Sequence, residues 1–134
     1  MRMVKSMPTR CHLIKTAIPL VHVSSSAAAE EFYCERLGFR REFAPRGDKA
    51  KADRCYMEVS RDGVWLHVSS FSGDGVSGGV VNLIVEDMDA LRAELVKKRV
   101  WTDTGPVDQT WGSGEMYVKD AHGNGIRFIR PSGG

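Results

Sequence analysis

The sequence predicts an α+β domain in which the element order β-α-β-β-β occurs twice. A β-type run followed by a capped helix begins near residue 17 and again near residue 79, and three further β-type runs follow each helix. Shifting Ile18 onto Val80 aligns the two first strands. The same shift brings Ser25 onto Asp87, each at a helix-cap position. The repeated order indicates an internal duplication of one structural unit.

Composition and charge bound the class of protein. The chain has 134 residues, of which 42% are hydrophobic and 27% charged, and this suits one globular domain with its own core. The formal net charge of +2, without Lys/Arg blocks, predicts no nucleic-acid partner. No stretch has the length and apolarity of a membrane span, so no membrane partner is expected. Three cysteines without a CxxC pair predict a reducing, cytoplasmic location rather than a disulfide framework.

The chain is predicted to consist of a leader and one domain. Residues 1–14 are interpreted as an irregular leader, without the continuous apolar run of a signal peptide. The domain, residues 15–131, contains module one (15–70), a Gly/Ser-rich linker (71–78) and module two (79–131). The linker glycines do not connect a strand to a helix as in a phosphate-binding loop, so a nucleotide site is rejected.

Module one is predicted to open with a strand at 17–23, in which Pro19 indicates a sheet edge. Ser25 or Ser26 can cap the helix that follows, and Gly38 marks its end. The apolar stripe of this helix is interpreted as core: Ala29, Phe32, Tyr33 and Leu37.

The rest of module one is predicted to be three strands, at 39–45, 55–60 and 64–70, with a charged loop at 46–53. Asp62-Gly63 lies between the last two strands and is a strong signal for a tight hairpin turn.

Module two is predicted to begin with a strand at 79–85 and a helix capped by Asp87. The buried face of this helix is expected to carry Met88, Leu91 and Leu95. Three more strands are predicted at 102–108, 115–120 and 125–130.

Three stretches of the sequence resemble a known family. They are IPLVHVSSSAAAEEFYCERLGF (18–39), RDGVWLHV (61–68) and WGSGEMYVKDAHGNGIRF (111–128). Together they resemble the vicinal oxygen chelate superfamily, and within it the glyoxalase/bleomycin-resistance protein/dioxygenase group, with this chain most similar to a bleomycin-resistance-like member. The closing motif departs from the family pattern at Ala121 and His122, which replace a proline and an acid.

The resemblance implies a fold, a binding mode and an assembly. Two βαβββ modules would curl into an open, partial barrel with a central cavity. That cavity would hold a metal and a substrate, as in the enzymes, or a drug-like molecule, as in the resistance proteins. Members of the group are usually dimers, so a homodimer is expected.

The family's metal-ligand positions, mapped through these motifs, argue against its metal chemistry. Three of the four positions fall on Ile18, Val80 and Arg127, and the fourth falls on Trp65 or His67. Aliphatic side chains have no lone pair to donate, and an arginine repels a divalent cation. No metal, no other cofactor and no catalytic residue are therefore expected.

The predicted binding residues are those that the alternation of the strands and the family motifs direct toward the cavity, together with one loop tryptophan. They are Leu20, His22, Trp65, His67, Asn82, Trp111 and Arg127. Arg127 needs a partner if it is buried, either a carboxylate such as Glu58 or Glu115 or an anionic group of a ligand.

Three functions stay open at this point. The first is metal-independent binding of an aromatic or amphipathic small molecule, although a chain of charge +2 offers no net attraction to a cationic drug such as bleomycin. The second is a metal-dependent enzyme of the glyoxalase/dioxygenase type, with a non-standard site near His22 and His67. The third is an interaction module whose cavity is only core.

Overall fold

A computed structural model describes residues 13–43, 55–102, 105–106 and 115–131 of the protein. The first helix, α1, runs over Ser26–Glu30 and continues as a π-helix over Glu31–Arg36; the second, α2, spans Met88–Lys97. The strands are β1 Leu20–His22, β2 Arg40–Phe43, β3 Tyr56–Arg61, β4 Val64–Ser69, β5 Val80–Ile84, β6 Trp101–Thr102, β7 Gly105–Pro106, β8 Glu115–Lys119 and β9 Gly125–Ile129.

The strands form two sheets. The N-terminal sheet has the order β1-β4-β3-β2, and the C-terminal sheet has the order β5-β9-β8-β6-β7. In each sheet the first strand pairs in parallel with the last, β1 with β4 and β5 with β9, whereas the other pairs are antiparallel. The predicted α+β class is confirmed, and the described strands do not close into a barrel.

Helix α1 begins and ends at the residues that its sequence signals indicate. Ser25, rather than Ser26, is the N-cap, and its Oγ accepts a hydrogen bond from the Ala28 N–H at 3.2 Å. Gly38 follows the helix with a φ of +78°, a conformation that favours glycine. The π-helical part was not predicted; it widens the helix so that the Leu37 N–H donates to the Phe32 carbonyl at 2.9 Å.

Helix α2 is also capped as predicted, because the Asp87 carboxylate accepts the Ala90 N–H at 3.0 Å. Met88 and Leu95 are fully buried, and Leu91 packs against the core from a partly buried position. In the part of the chain that the structure describes, neither helix is long and apolar enough to cross a bilayer.

The turns and strand ends follow local chemistry. Asp62 and Gly63 have φ values of +53° and +80°, as a two-residue hairpin turn requires, so this prediction is confirmed. The first strand is shorter than predicted, since Pro19 has no N–H and lies just before β1 at the edge of its sheet. The Pro19 carbonyl still accepts the His67 N–H at 3.0 Å.

Some predictions fall outside the described residues. Most of the leader and the charged loop at 46–53 do so, and so do residues 103–104 and 107–108 of the strand predicted at 102–108. The described part of that strand differs from the prediction, because β6 and β7 are two short strands that pair antiparallel, Thr102 with Gly105.

Each sheet buries one face and leaves the other open, and both buried faces belong to one hydrophobic core. The N-terminal half contributes Val21, Val23, Ala29, Tyr33, Leu37, Phe39, Cys55, Met57, Val59, Leu66 and Val68. The C-terminal half contributes Val81, Met88, Leu95, Val100, Met116, Val118, Ile126 and Phe128. Cys55 lies in this core and Cys34 packs against it, so both behave as small apolar side chains.

A buried hydrogen-bond network joins the two halves at the turn between β8 and β9. The Tyr33 hydroxyl of α1 donates to Asp120 Oδ2 at 2.7 Å, and the Asn124 side-chain amide donates to the same oxygen at 2.9 Å. Asp120 Oδ1 accepts the backbone N–H groups of His122 and Asn124, which fixes the turn. Asp120 and Asn124 are buried, so this network is shielded from water.

Asn124 extends the network to two further segments. Its side-chain amide donates to the His22 carbonyl at 2.8 Å, and its Oδ1 accepts the Gly78 N–H at 2.9 Å. The turn predicted from Asp120, Gly123 and Asn124 is therefore present despite Ala121 and His122. Gly123 has a φ of +86°.

A second contact between the halves lies at the tip of the β3–β4 hairpin. Arg61 forms a two-pronged ion pair with Glu94 of α2, with both N–O distances at 2.7 Å, and also donates to the Leu37 carbonyl. Hydrogen bonding to Arg61 holds the pKa of Glu94 below its ordinary value. The pair therefore fastens the hairpin to α2.

We expect Tyr33→Phe to destabilise the protein by about 1–3 kcal/mol, since it removes one donor from a buried carboxylate. Equilibrium unfolding in urea measures this change. Tyr117→Phe is the matched control, because Tyr117 lies half-buried on an open sheet face. Equal losses in the two variants would contradict the structural role of the Tyr33–Asp120 hydrogen bond.

Alkaline pH provides an independent test of the same contact. Burial, and then the charge of Asp120, raise the pKa of Tyr33 well above its ordinary 10.0. This contribution to stability is complete below the ordinary pKa and is lost as pH rises above it, because the unfolded tyrosine ionises while the folded one keeps its proton. Between about pH 8 and about pH 11, the unfolding free energy of the wild type should fall relative to that of Tyr33→Phe. A constant difference would show that Tyr33 is not buried in the folded protein.

Candidate functional site

The open face of the N-terminal sheet carries four of the predicted binding residues on its central and edge strands. Strand alternation and register put the following side chains on this face, which we call the N-terminal open face: Leu20, His22, Tyr56, Glu58, Ser60, Trp65 and His67. Leu20 and Trp65 are large apolar side chains and are 38% and 39% exposed. The face thus offers apolar and aromatic surface beside a few polar groups.

A hydrogen-bonded cluster occupies the middle of this face. The Tyr56 hydroxyl lies 2.6 Å from His67 Nδ1, and the Glu58 carboxylate lies 3.9 Å from His67 Nε2. Glu58 pairs with His67 across β3 and β4, so the sheet register fixes this arrangement. Desolvation, with the charges of Asp74 and Glu58, raises the pKa of Tyr56 and favours its protonated hydroxyl.

His22 lies on the same face but one pleat further along. Its Cα partner in β4 is Ser69, whereas the partner of His67 is Leu20. His22 Nδ1 is buried and has no hydrogen-bond partner within the described ranges. Among the described residues, no three His, Cys, Asp or Glu side chains lie close enough together to hold a metal ion. The two histidines are therefore neighbours on one face without forming a ligand set.

The open face of the C-terminal sheet has a different polar composition. By the same alternation it carries Val80, Asn82, Ile84, Glu115, Tyr117, Lys119, Arg127 and Ile129, which we call the C-terminal open face. Val80 and Ile84 are 48% and 64% exposed, so their apolar surface is available to a ligand or to a partner. Asn82, Arg127 and Tyr117 form one row across β5, β9 and β8.

Arg127 lies between an aromatic ring and a carboxylate. Its guanidinium carbon is 5.4 Å from the centre of the Tyr117 ring, and its Nε is 3.8 Å from Glu115 Oε1. The predicted internal partner is thus Glu115 and not Glu58, which lies on the other sheet. The Arg127 side chain is about one third exposed, so the pair is screened by solvent and contributes little to stability.

Gly125 provides the space in which the Tyr117 ring lies. A Cβ placed on Gly125 would meet the Tyr117 ring and hydroxyl at well below contact distance. The ring therefore leans across the strand onto the glycine backbone, and a second cation, Lys119, lies 5.8 Å from its centre. This glycine is needed for close approach of a ring and not for an unusual φ.

The residues at the family's metal-ligand positions do not fit a metal. Ile18 and Val80 are partly exposed aliphatic side chains without lone pairs, and Arg127 is a permanent cation. Only His67, with Glu58 beside it, offers donor atoms, whereas a catalytic zinc or iron site requires about three protein ligands.

Two grooves of the described structure lie away from most of the predicted binding residues. One, of about 560 Å³, runs beside the β3–β4 hairpin and is lined by apolar residues that include Leu37, Phe39, Val64, Leu83 and Ile84. The other, of about 530 Å³, is polar and contains Arg61 and Glu94. The ion pair between these two residues already satisfies their charges, so its role is to dock the hairpin.

The predicted site residues thus fall on two different sheets. Leu20, His22, Trp65 and His67 belong to the N-terminal open face, and Asn82 and Arg127 belong to the C-terminal one. Trp111 lies outside the described residues. The predicted binding residues do not include Tyr56, Tyr117, Lys119 or Gly125. Their alternation with apolar residues in the strand sequences was the signal that could have placed them on the open faces.

Comparison with known proteins identifies the family. Residues 8–134 match the family model described as glyoxalase superfamily protein, and the chain therefore belongs to the glyoxalase superfamily. The resemblance predicted from the sequence motifs is confirmed. No curated protein matches the chain.

Solved structures with the same fold include antibiotic-binding proteins. One is the bleomycin-binding protein of bleomycin-producing Streptomyces verticillus, complexed with copper(II)-bleomycin; it is 25% identical, with a TM-score of 0.61 over 90% of this chain and 100% of that one. TnmS3, an antibiotic binding protein from Streptomyces sp. CB03234, is 24% identical, with a TM-score of 0.61 and the same coverage. A bleomycin resistance determinant encoded on transposon Tn5 is 20% identical, with a TM-score of 0.65 over 89% of this chain and 99% of that one. The last two show likeness of fold alone.

We expect Gly125→Ala to displace the Tyr117 ring and to destabilise the protein by about 1–3 kcal/mol through overpacking. Urea unfolding measures the free energy, and near-ultraviolet circular dichroism reports the ring environment. In a Tyr117→Ala background the added methyl group has room, so there Gly125→Ala should be neutral or stabilising. Equal costs in the two backgrounds would show that the ring does not lie on Gly125.

Proposed function

We propose that this protein binds an aromatic or amphipathic, drug-like small molecule, without a metal, on the open faces of its two sheets. The observation that carries the proposal is the composition of these faces, where exposed apolar and aromatic side chains surround a few fixed polar groups. Ligand sites typically have this make-up.

Both open faces expose large apolar side chains. Trp65 and Leu20 lie on one open face, and Val80 and Ile84 lie on the other, each between about one third and two thirds exposed. Large apolar side chains exposed on one sheet face are consistent with a surface that a ligand or a partner covers. The buried core lies on the opposite side of both sheets, so the open faces are available for binding.

The chemistry of the donor set supports binding without metal. Ile18, Val80 and Arg127 offer no ligand atom to a divalent cation, and the described residues contain no cluster of three donors. Recognition then depends on stacking, apolar contact and hydrogen bonds from groups such as His67 and Asn82.

The sheet orders support a paired architecture. We propose that each sheet, with its helix, corresponds to one βαβββ module, with β6 and β7 together in the place of one strand of module two, and that the modules curl into a partial barrel. A second copy of the chain would cover the exposed apolar side chains, so that a homodimer encloses the binding cavity. The free thiol of Cys34 fits a reducing, cytoplasmic setting.

The solved relatives support this class of function. The protein from Streptomyces verticillus binds copper(II)-bleomycin, and TnmS3 is an antibiotic binding protein. By analogy, this chain would sequester an antibiotic-like molecule and so contribute to resistance. Its net charge of +2 provides no long-range attraction for a cationic drug, so bleomycin itself is not the ligand we expect.

A metal-dependent glyoxalase- or dioxygenase-type enzyme is the alternative. The specific observation in its favour is the Tyr56–His67–Glu58 cluster, which holds one imidazole in a fixed orientation beside a carboxylate. His22 lies on the same face. Within the described residues, however, His22 and the cluster do not lie close enough together to form one set of metal ligands. Binding without a metal therefore remains the better-supported function.

A ligand screen tests the proposal. We expect at least one aromatic or amphipathic compound to raise the melting temperature of the purified protein and to change its Trp fluorescence, because a ligand that binds only the folded state stabilises it. Trp65→Ala should weaken the binding of this compound, with a Kd that is about tenfold or more higher. Phe71→Ala is the matched control, since Phe71 has similar exposure, 40%, but lies in the linker.

Two results would contradict the proposal. One is a screen in which no compound stabilises the protein. The other is stoichiometric Zn, Fe, Ni or Mn in the purified protein that is lost in His67→Ala, which would favour the enzyme.

A further inference from the structure

We propose that the C-terminal open face recognises a planar aromatic anion, such as an aromatic carboxylate, with the Tyr117 ring as the stacking surface and Arg127 and Lys119 as the anion-binding groups. This inference rests on the proposed function and deepens it by naming the chemical class of the ligand.

The Tyr117 ring is suited to stacking because the sheet holds it in place. It lies on the backbone of Gly125 and is therefore supported from below by the strand instead of standing upright from the sheet. Arg127, which pairs with Tyr117 across the sheet, and Lys119, two residues further along the same strand, both lie over this ring. The Arg127 guanidinium carbon and the Lys119 ammonium nitrogen are 5.4 Å and 5.8 Å from the ring centre. Because both cations lie over the ring, an aromatic anion that reaches Tyr117 would contact the ring and two positive charges at the same place.

The charge balance of the cluster favours an anion. Among the described residues of this cluster, two cations, Arg127 and Lys119, lie beside one carboxylate, Glu115, which is more than half exposed and 3.8 Å from Arg127. At this distance the contact is not a hydrogen bond, so it does not use up the guanidinium donors, of which arginine has five. A carboxylate presented in the plane of a guanidinium can accept two of them at once.

Neighbouring residues narrow the class of ligand further. Asn82 pairs with Arg127 in the sheet register and adds an amide group that can donate or accept a hydrogen bond. Val80 and Ile84 flank this row and provide apolar contact for a fused ring system. A cationic ligand would be repelled by Arg127 and Lys119, whereas a neutral one would gain only the stacking and apolar contacts.

The two open faces therefore differ in the sign of their polar groups. The N-terminal open face carries the Glu58 carboxylate beside His67, and the C-terminal open face carries the Arg127 guanidinium beside Tyr117. The anion preference is a property of the C-terminal face alone, so it can be removed by substitutions there.

Three probes that share one ring system but differ in charge test this inference: 2-naphthoate, 2-naphthylmethylammonium and 2-naphthalenemethanol. Ligand-observed NMR and Trp fluorescence titration measure their Kd on the full chain. We expect naphthoate to bind about tenfold or more tightly than the ammonium compound, and this preference should shrink in high salt.

Charge-removing variants locate the site. Arg127→Gln should weaken naphthoate binding about tenfold and Lys119→Gln about threefold, while the affinity for 2-naphthalenemethanol changes little. Lys97→Gln, which removes one exposed positive charge from α2, should leave the naphthoate affinity unchanged. Circular dichroism and the melting temperature establish that each variant is folded.

Each contrary result has a distinct meaning. Equal affinity for all three probes, or a naphthoate affinity that Arg127→Gln does not alter in a folded variant, would overturn the anion preference and leave small-molecule binding intact. Binding of other aromatic compounds but of none of the three probes would do the same. If neither the probes nor any compound of the wider screen binds, both the inference and the proposed function fail.

Discussion

The buried carboxylate of Asp120 is the contact on which the arrangement of the two halves depends. It accepts four hydrogen bonds, from the Tyr33 hydroxyl, the His122 and Asn124 backbone and the Asn124 side chain. A buried carboxylate is tolerated only when its oxygens are satisfied in this way. Because Tyr33 belongs to α1 and Asn124 reaches the β1 backbone, one turn holds both halves around a common core. The open faces point away from that core, so the packing of the two sheets on the core determines which way the open faces point.

The two open faces show how one scaffold can present different chemistry. In each sheet alternate strand residues are buried, and most of the others are partly or fully exposed. The polar character of each open face then depends on a few side chains: Glu58 and His67 on the N-terminal face, and Arg127 and Lys119 on the C-terminal face. Where the metal-dependent relatives would need ligands on both sheets, this chain has aliphatic groups and a cation. The positions that do not fit a metal are thus the ones whose apolar and cationic groups support the proposed binding of an organic ligand.

Most of the fold could be predicted from the sequence because its signals are local. Ser25, Asp87 and the Asp62-Gly63 turn act through hydrogen bonds and dihedral angles within a few residues, and the structure confirms all three. The widened turn of α1 could not be predicted, since nothing in the local pattern distinguishes it from an α-helix. The helical spacing correctly predicts that Tyr33 belongs to the apolar stripe. It cannot predict the hydrogen-bond partner of the Tyr33 hydroxyl, because that partner, Asp120, lies in a turn far along the chain.

The candidate site was only partly predictable, because its clusters arise from register. Alternation placed His67 and Arg127 on the right faces. Tyr56 becomes a neighbour of His67 only when β3 pairs with β4, and Tyr117 becomes a neighbour of Arg127 only when β8 pairs with β9. The hairpin turn between β3 and β4 fixes that register, so Tyr56 could have been found by counting back from Asp62-Gly63. The role of Gly125 depends on where the Tyr117 ring leans, and this has no signal in the strand pattern.

The parallel pairing of the first and last strands also governs how the chain can fold. Leu20 finds its partner in His67, and Val80 finds its partner in Gly125, so each sheet is completed by its last strand. Such non-local closure is slow compared with the formation of a helix or a hairpin. During synthesis the edge strand β1 must wait for β4 to emerge from the ribosome, and β5 must wait for β9. The Asp120 turn lies just before β9, so the hydrogen bonds that join the two halves can form only after both halves have been synthesised.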